Sequence, residues 1–77
     1  MTFEELSDRV SATARSAAHG PDKRLRLTAM GMLQRVILLE VRESDFRNKN
    51  EAREELLFLA TNEFADERRR LINEGKA

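Results

Sequence analysis

A chain of 77 residues can form one small domain at most, and without cysteine it builds neither disulfides nor thiolate metal sites. Its 14 basic and 14 acidic residues give a formal net charge of zero, whereas nucleic-acid-binding domains usually show a basic excess. With 36% charged and 40% hydrophobic residues, the chain is too apolar for a disordered tail and too charged for a membrane protein.

The chain also carries no recognisable targeting or membrane-spanning segment. Its first residues lack the basic-then-apolar order of a signal peptide, and its apolar runs are far shorter than a membrane span. We therefore expect a cytoplasmic protein that has no membrane partner. Domains of this size are marginally stable alone and are often stabilised by disulfides, a metal or oligomerisation. Of these, we expect oligomerisation, and we expect no cofactor.

Two breaks divide the chain into three segments with helical periodicity. The first break is the pair Gly20-Pro21 and the second is the polar stretch 43–50. The strict alternation that is typical of strands is absent. We therefore predict a single all-α domain in which helices two and three form a hairpin and helix one packs across or beside it. The predicted domain covers residues 1–77, with helices over about 3–18, 22–42 and 50–73.

The ends of these helices carry recognisable caps. Thr2 and Glu5 have the spacing of a capping box. Asp22 or Gly20 is the expected N-cap of helix two, and Asn48 or Asn50 that of helix three. Gly20 is also expected to end helix one in a left-handed conformation, and Gly75 to close helix three.

The second segment is apolar around most of its circumference. It holds ten of the 22 large apolar residues (Phe, Met, Leu, Ile and Val) of the chain, and a helix of this kind is buried most of the way round. Since two neighbouring helices cover only about half of a helix, we predict a homodimeric helical bundle. The expected residues of the self-association or partner interface are Met30, Leu33, Val36, Ile37, Leu38, Val41, Leu57 and Phe64.

Three further residues are candidates for exposed contacts with a partner. Phe46 is a lone aromatic residue in the polar linker, where it either plugs the open end of the bundle or contacts another protein. Arg35 and Arg42 lie on the narrow polar stripe of helix two. This stripe also holds Gly31. Because glycine is costly in mid-helix, we expect a packing reason for it, and the close approach of a crossing helix is one candidate.

These features favour a non-enzymatic protein–protein interaction module. We expect a homodimeric regulator, adaptor or inhibitor that binds and occludes a partner protein, without catalytic residues. The single histidine, His19, lies in the first turn without a motif that supplies a nucleophile. We expect it to be a solvated residue at the helix end.

A second hypothesis is a small regulator that binds nucleic acid. Lys23, Arg24 and Arg26 form one basic group, and the range Arg68–Arg70 forms another. Both could contact phosphates, and dimerisation would double their number. However, the chain shows no helix–turn–helix signature, and it contains neither Trp nor Tyr for stacking on bases. Nucleic acid is therefore the secondary expectation.

A third hypothesis rests on acidic residues in the third segment. The pattern formed by Glu51, Glu54 and Glu55 with Glu63 and Asp66 resembles the magnesium-binding acidic helices of all-α nucleotide pyrophosphohydrolases. That resemblance implies a metal-dependent hydrolase. In that family the two acidic clusters lie on separate helices, whereas here both lie on one predicted helix. An ordinary alternative is that these carboxylates and Glu67 stabilise the helix dipole or pair with Arg69 and Arg70.

Overall fold

The computed structural model describes residues 1–76 and consists of three α-helices. They are α1 (Phe3–Ala17), α2 (Lys23–Glu43) and α3 (Lys49–Asn73). The predicted all-α, three-helix fold is confirmed, and each helix end lies within one residue of its predicted position. No helix in this part of the chain offers a segment long and apolar enough to cross a membrane.

Each helix begins at a side chain that caps its first turn. In every case the capping oxygen accepts a hydrogen bond of 2.9–3.1 Å from the backbone N–H three residues later. These bonds satisfy amides that have no partner within the helix. The pairs are Thr2 with Glu5, Asp22 with Leu25, and Asn48 with Glu51.

The two glycines at helix ends act in different ways. Gly75 has a φ of +72°, and the N–H groups of Gly75 and Lys76 bond to the carbonyls of Ile72 and Leu71, which is a Schellman motif. Gly20, in contrast, does not have a positive φ, so its predicted left-handed conformation is wrong. A Cβ at Gly20 would lie only 2.8 Å from Cγ of Arg26, so close packing explains this glycine.

The helices run in alternating directions, with α1 parallel to α3 and α2 antiparallel to both. Phe3, at the start of α1, contacts Phe46 in the α2–α3 loop. His19, just after α1, contacts Glu67 near the end of α3. The most extensive helix contact is between α1 and α3. Thus the predicted hairpin of α2 and α3 is present, and α1 packs mainly against α3.

The core is a column of apolar residues contributed by all three helices. Ile37 and Leu56 are its largest fully buried side chains. Toward the end of α1 the core positions become small: Ala14 and the C-cap residue Ala18 are both completely buried. Small residues let helix backbones approach closely, so α1 covers more of the core than its side-chain volume indicates. The buried cluster consists of Leu6, Val10, Ala14, Met30, Leu33, Ile37, Val41, Ala52, Leu56 and Ala60.

Candidate interaction surface

Half of the residues predicted for an intermolecular interface lie inside the chain itself. They are buried at the centre of the three-helix bundle, where α1 and α3 both pack against α2. This placement corrects the expectation that α2 lacks cover on that face. The four residues are Met30, Leu33, Ile37 and Val41.

The other four predicted interface residues remain at or near the surface. Leu57 and Phe64 are partly buried and pack against the core cluster. Val36 and Leu38 are exposed on α2. Only these two therefore present much of their apolar area to a partner.

The structure exposes a different apolar surface on α2, which we call the α2 outer stripe. At 100° per residue its five positions fall within about 80° of one another. Their spacing of four, three, four and three residues is that of the a and d positions of a heptad repeat. The four large side chains are exposed, and the alanine between them is partly buried. The α2 outer stripe consists of Leu25, Ala29, Met32, Val36 and Leu39.

A groove between α1 and α2 runs alongside this stripe. Its volume is about 300 Å³, which is at the lower end of the range for small-molecule pockets. Arg9 and Glu40 are its charged lining residues, and Thr13 is its uncharged polar one. The groove therefore extends the apolar surface of α2 onto α1. Its apolar lining residues are Leu6, Val10, Ala29, Met32, Leu33 and Val36.

The three predicted contact residues have different environments. Phe46 packs edge to face against Phe3, with ring centroids 5.6 Å apart and an interplanar angle of 74°. It closes the end of the bundle, which is one of its two predicted roles. Arg35 and Arg42 are exposed. Arg35 directly precedes Val36, so it lies along one edge of the α2 outer stripe.

A charged cluster that the sequence did not reveal joins α1 to α3. Glu67 is only 6% exposed, and its Oε2 lies 2.8 Å from Nε2 of His19. Arg70 donates to both of its oxygens, at 2.6 and 2.9 Å, and Nη2 of Arg15 lies 3.9 Å away. The predicted (i, i+3) pair of Glu67 with Arg70 is present, but the contacts with Arg15 of α1 and His19 of the following turn were not expected.

These partners change the acid–base behaviour of Glu67. The hydrogen bonds from Arg70 first, and then from His19, lower the pKa of this carboxyl from 4.5 to about 2. The hydrogen bond to Glu67 and a second one to Glu74 raise the pKa of the Arg70 guanidinium. One signal in the sequence could have located the cluster: Glu67 occupies a core position of α3, seven residues after Ala60 and four before Leu71.

The residues of the nucleic-acid hypothesis are largely engaged within the chain. Arg26 donates to the carbonyl of Gly20 at 3.1 Å, and Arg68 donates to that of Ala18 at 2.8 Å. Arg70 binds Glu67 and Glu74, and Arg69 lies 3.5 Å from Asp66. These bonds give the arginines a structural role at the turn between α1 and α2 and at the end of α3.

The acidic residues of the hydrolase hypothesis do not converge. Within residues 1–76, no group of three or more acidic, histidine or cysteine side chains is placed to hold a metal ion. Glu51 is part of the α3 cap, and Asp66 pairs with Arg69.

Among the surfaces described above, the α2 outer stripe and the groove beside it form the largest continuous apolar area. Comparison of the chain with protein-family models, curated proteins and solved structures gives no match.

Proposed function

We propose that this chain is a non-enzymatic, cytoplasmic interaction module that forms a homodimer through the α2 outer stripe. The observation that carries the proposal is the stripe itself. Four large apolar side chains are exposed along one side of a 21-residue helix, and continuous apolar surface of this kind marks interaction sites in small proteins. As a dimer the module would act as a regulator, adaptor or inhibitor that occludes the surface of a partner protein.

The heptad spacing favours a second copy of α2 as the occupant of this stripe. Val36 occupies an a position, and Leu25 and Leu39 occupy d positions. In a parallel coiled coil, β-branched residues at a with leucine at d favour two strands, although Ala29 at a and Met32 at d depart from this pattern. In that register Arg35 at a g position lies beside Glu40 of the other copy at an e position. These opposite charges would flank the apolar seam on both sides.

A pair of matched leucine variants tests the proposal. Leu39 and Leu27 both lie on α2 and both are 56% exposed, but at 100° per residue they face directions about 120° apart. We expect the wild type to be a dimer in size-exclusion chromatography with light scattering. At physiological salt, which screens weak contacts between exposed charges, Leu39→Glu should be a helical monomer because it would bury two carboxylates in the seam, whereas Leu27→Glu should remain dimeric. A monomeric wild type, or two variants of equal mass, would contradict the proposal.

The orientation can be tested separately because the chain has no cysteine. A disulfide needs Cα atoms about 4.4–6.8 Å apart. Leu25→Cys should crosslink to its copy in a parallel dimer, since the two substituted positions then lie at the same end of the seam. In an antiparallel dimer they would lie at opposite ends, and no crosslink would form.

A further inference from the structure

A second unpartnered surface lies on α3, on the side opposite the core. We call it the α3 outer face. At 100° per residue its five positions lie about 160° from the buried positions of the same helix. Phe58, one turn after its first residue, is 70% exposed, more than any other large hydrophobic residue of the described chain. The face consists of Glu54, Phe58, Thr61, Ala65 and Arg69.

The charges and side-chain sizes along this face are complementary to those of a second copy of the face that runs in the opposite direction. The acidic residue Glu54 comes first, and the large apolar Phe58 follows four positions later. The small apolar Ala65 follows after seven more positions, and the basic Arg69 after another four. If two copies of α3 lie antiparallel, Glu54 faces the partner's Arg69 and Phe58 faces the partner's Ala65. If they lie parallel, like charges face each other and the two phenylalanines collide.

The charged residues of this face are available for such a contact. Glu54 is exposed. Arg69 is 73% exposed and reaches Asp66 only at 3.5 Å, at the surface, where an ion pair of this kind contributes little. Arg69 can therefore exchange Asp66 for the partner's Glu54 at small cost.

From this arrangement we propose that the α3 outer face is a second, antiparallel self-association surface, whose occupant is α3 of another copy of this chain. It shares no residue with the α2 outer stripe and does not depend on that proposal. Its apolar part is small and its ion pairs are exposed. The contact is therefore weak and sensitive to salt, because salt screens exposed charges. An isologous contact of this kind pairs two chains, or pairs two dimers that the α2 outer stripe has already formed.

Charge reversal tests the antiparallel register. The experiment uses the full chain carrying Leu39→Glu, which blocks the α2 outer stripe, and measures association by sedimentation velocity at low salt over a range of concentrations. Glu54→Arg or Arg69→Glu alone places like charges opposite each other twice per dimer, and should weaken association by roughly tenfold or more. The double variant restores both pairs and should associate as the Leu39→Glu chain does.

A mixture of the two single variants is the decisive control. Each variant repels itself, but their antiparallel heterodimer brings the two introduced side chains, which carry opposite charges, together at one end. At the other end it pairs the native Glu54 with the native Arg69, so the mixture should associate. Phe58→Ala should abolish association, whereas Leu27→Ala, a change at a large apolar exposed residue of α2 that belongs to neither surface, should not.

Three results would overturn the proposal: a Leu39→Glu chain that stays monomeric at low salt, single charge variants that associate unchanged, or a mixture that does not associate. Failure of the α2 proposal gives a different result. With native Leu39, Glu54→Arg should still dimerise through the α2 outer stripe. If that variant is instead monomeric, then α3 supplies the self-association surface and the α2 outer stripe does not.

Discussion

His19 Nε2 lies 2.8 Å from Oε2 of Glu67, and this bond ties the turn after α1 to a point six residues before the end of α3. The same carboxylate receives two hydrogen bonds from Arg70. Burial of a carboxylate is costly unless it is paired and hydrogen-bonded. Glu67 is therefore held by residues on both sides of the α1–α3 contact.

Replacing Glu67 with glutamine should lower the melting temperature by several degrees. The amide keeps one acceptor oxygen but turns its NH₂ group toward guanidinium donors, so charge-assisted hydrogen bonds are lost. Glu63→Gln is the matched control one turn earlier, because Glu63 reaches Arg15 only at 3.9 Å. It should change the melting temperature little. Circular dichroism measures both melting temperatures. An equal decrease in the two variants would show that Glu67 has no special role.

The low pKa of Glu67 makes a prediction about acid stability. Its pKa is about 2 in the folded chain and 4.5 as an isolated group, so its contribution to stability is fully present above pH 4.5. As the pH falls from about 4.5 to about 2, the unfolded state binds the proton first and this contribution is lost. The wild type should therefore lose more stability over this window than Glu67→Gln does. Parallel pH profiles of the two proteins, from denaturant titrations, would contradict the prediction.

Two neighbouring residues of α2 should respond very differently to truncation. Ile37 is 0% exposed, whereas Leu38 is 44% exposed. Ile37→Ala should lower the free energy of unfolding by about 2–5 kcal/mol because it leaves a cavity in the core. Leu38→Ala should lower it by less than about 1 kcal/mol. Urea unfolding monitored by circular dichroism measures both values, and a larger loss at Leu38 would mean that another chain covers it.

Gly31 should be replaceable by alanine with a gain in stability. Within residues 1–76, no heavy atom beyond the neighbouring residues and the adjacent backbone of α2 lies within 4 Å of a Cβ built at this position, so no crossing helix of the described chain approaches it. Gly31→Ala should therefore raise the free energy of unfolding by about 0.5–1 kcal/mol, the cost of glycine in mid-helix. Gly20→Ala is the contrasting control and should destabilise, since its Cβ would collide with Arg26. A loss at Gly31 would indicate that a second chain packs there.

The sequence predicted the helices because their signals are local. A cap such as Thr2, Asp22 or Asn48 fixes the start of a helix through a bond to a residue three positions away. Such bonds need no information about distant parts of the chain. The ends of the three helices could therefore be placed to within one residue.

The face of α2 that turns inward could not be predicted in the same way. Apolar residues surround this helix, so periodicity alone does not choose between Ile37, which is buried, and Val36 or Leu39, which are exposed. The choice depends on α1, whose buried alanines, such as Ala14, let it pack closely. Glu67 was missed for a related reason, since its charge hides its place in the core pattern of α3.

The contact between Phe3 and Phe46 closes the end of the bundle and gives the last prediction. Edge-to-face aromatic pairs contribute about 0.5–1.5 kcal/mol beyond the area that they bury. The loop that carries Phe46 is held in place, since Ser44 donates to the carbonyl of Val41 at 2.6 Å and Lys49 donates to that of Arg42 at 2.8 Å. The two rings are therefore positioned by elements that do not depend on each other.

A double-mutant cycle measures this contact. Phe3→Ala and Phe46→Ala should each lower the free energy of unfolding by about 1–3 kcal/mol. The double variant should lose less than the sum, by about 0.5–1.5 kcal/mol, because the first truncation already removes the ring contact. Phe3→Ala combined with Phe58→Ala should be additive, since Phe58 lies on the far side of α3. If Phe3 and Phe46 were also additive, the ring of Phe46 would not plug the bundle, and its second predicted role, contact with a partner protein, would become the better explanation for it.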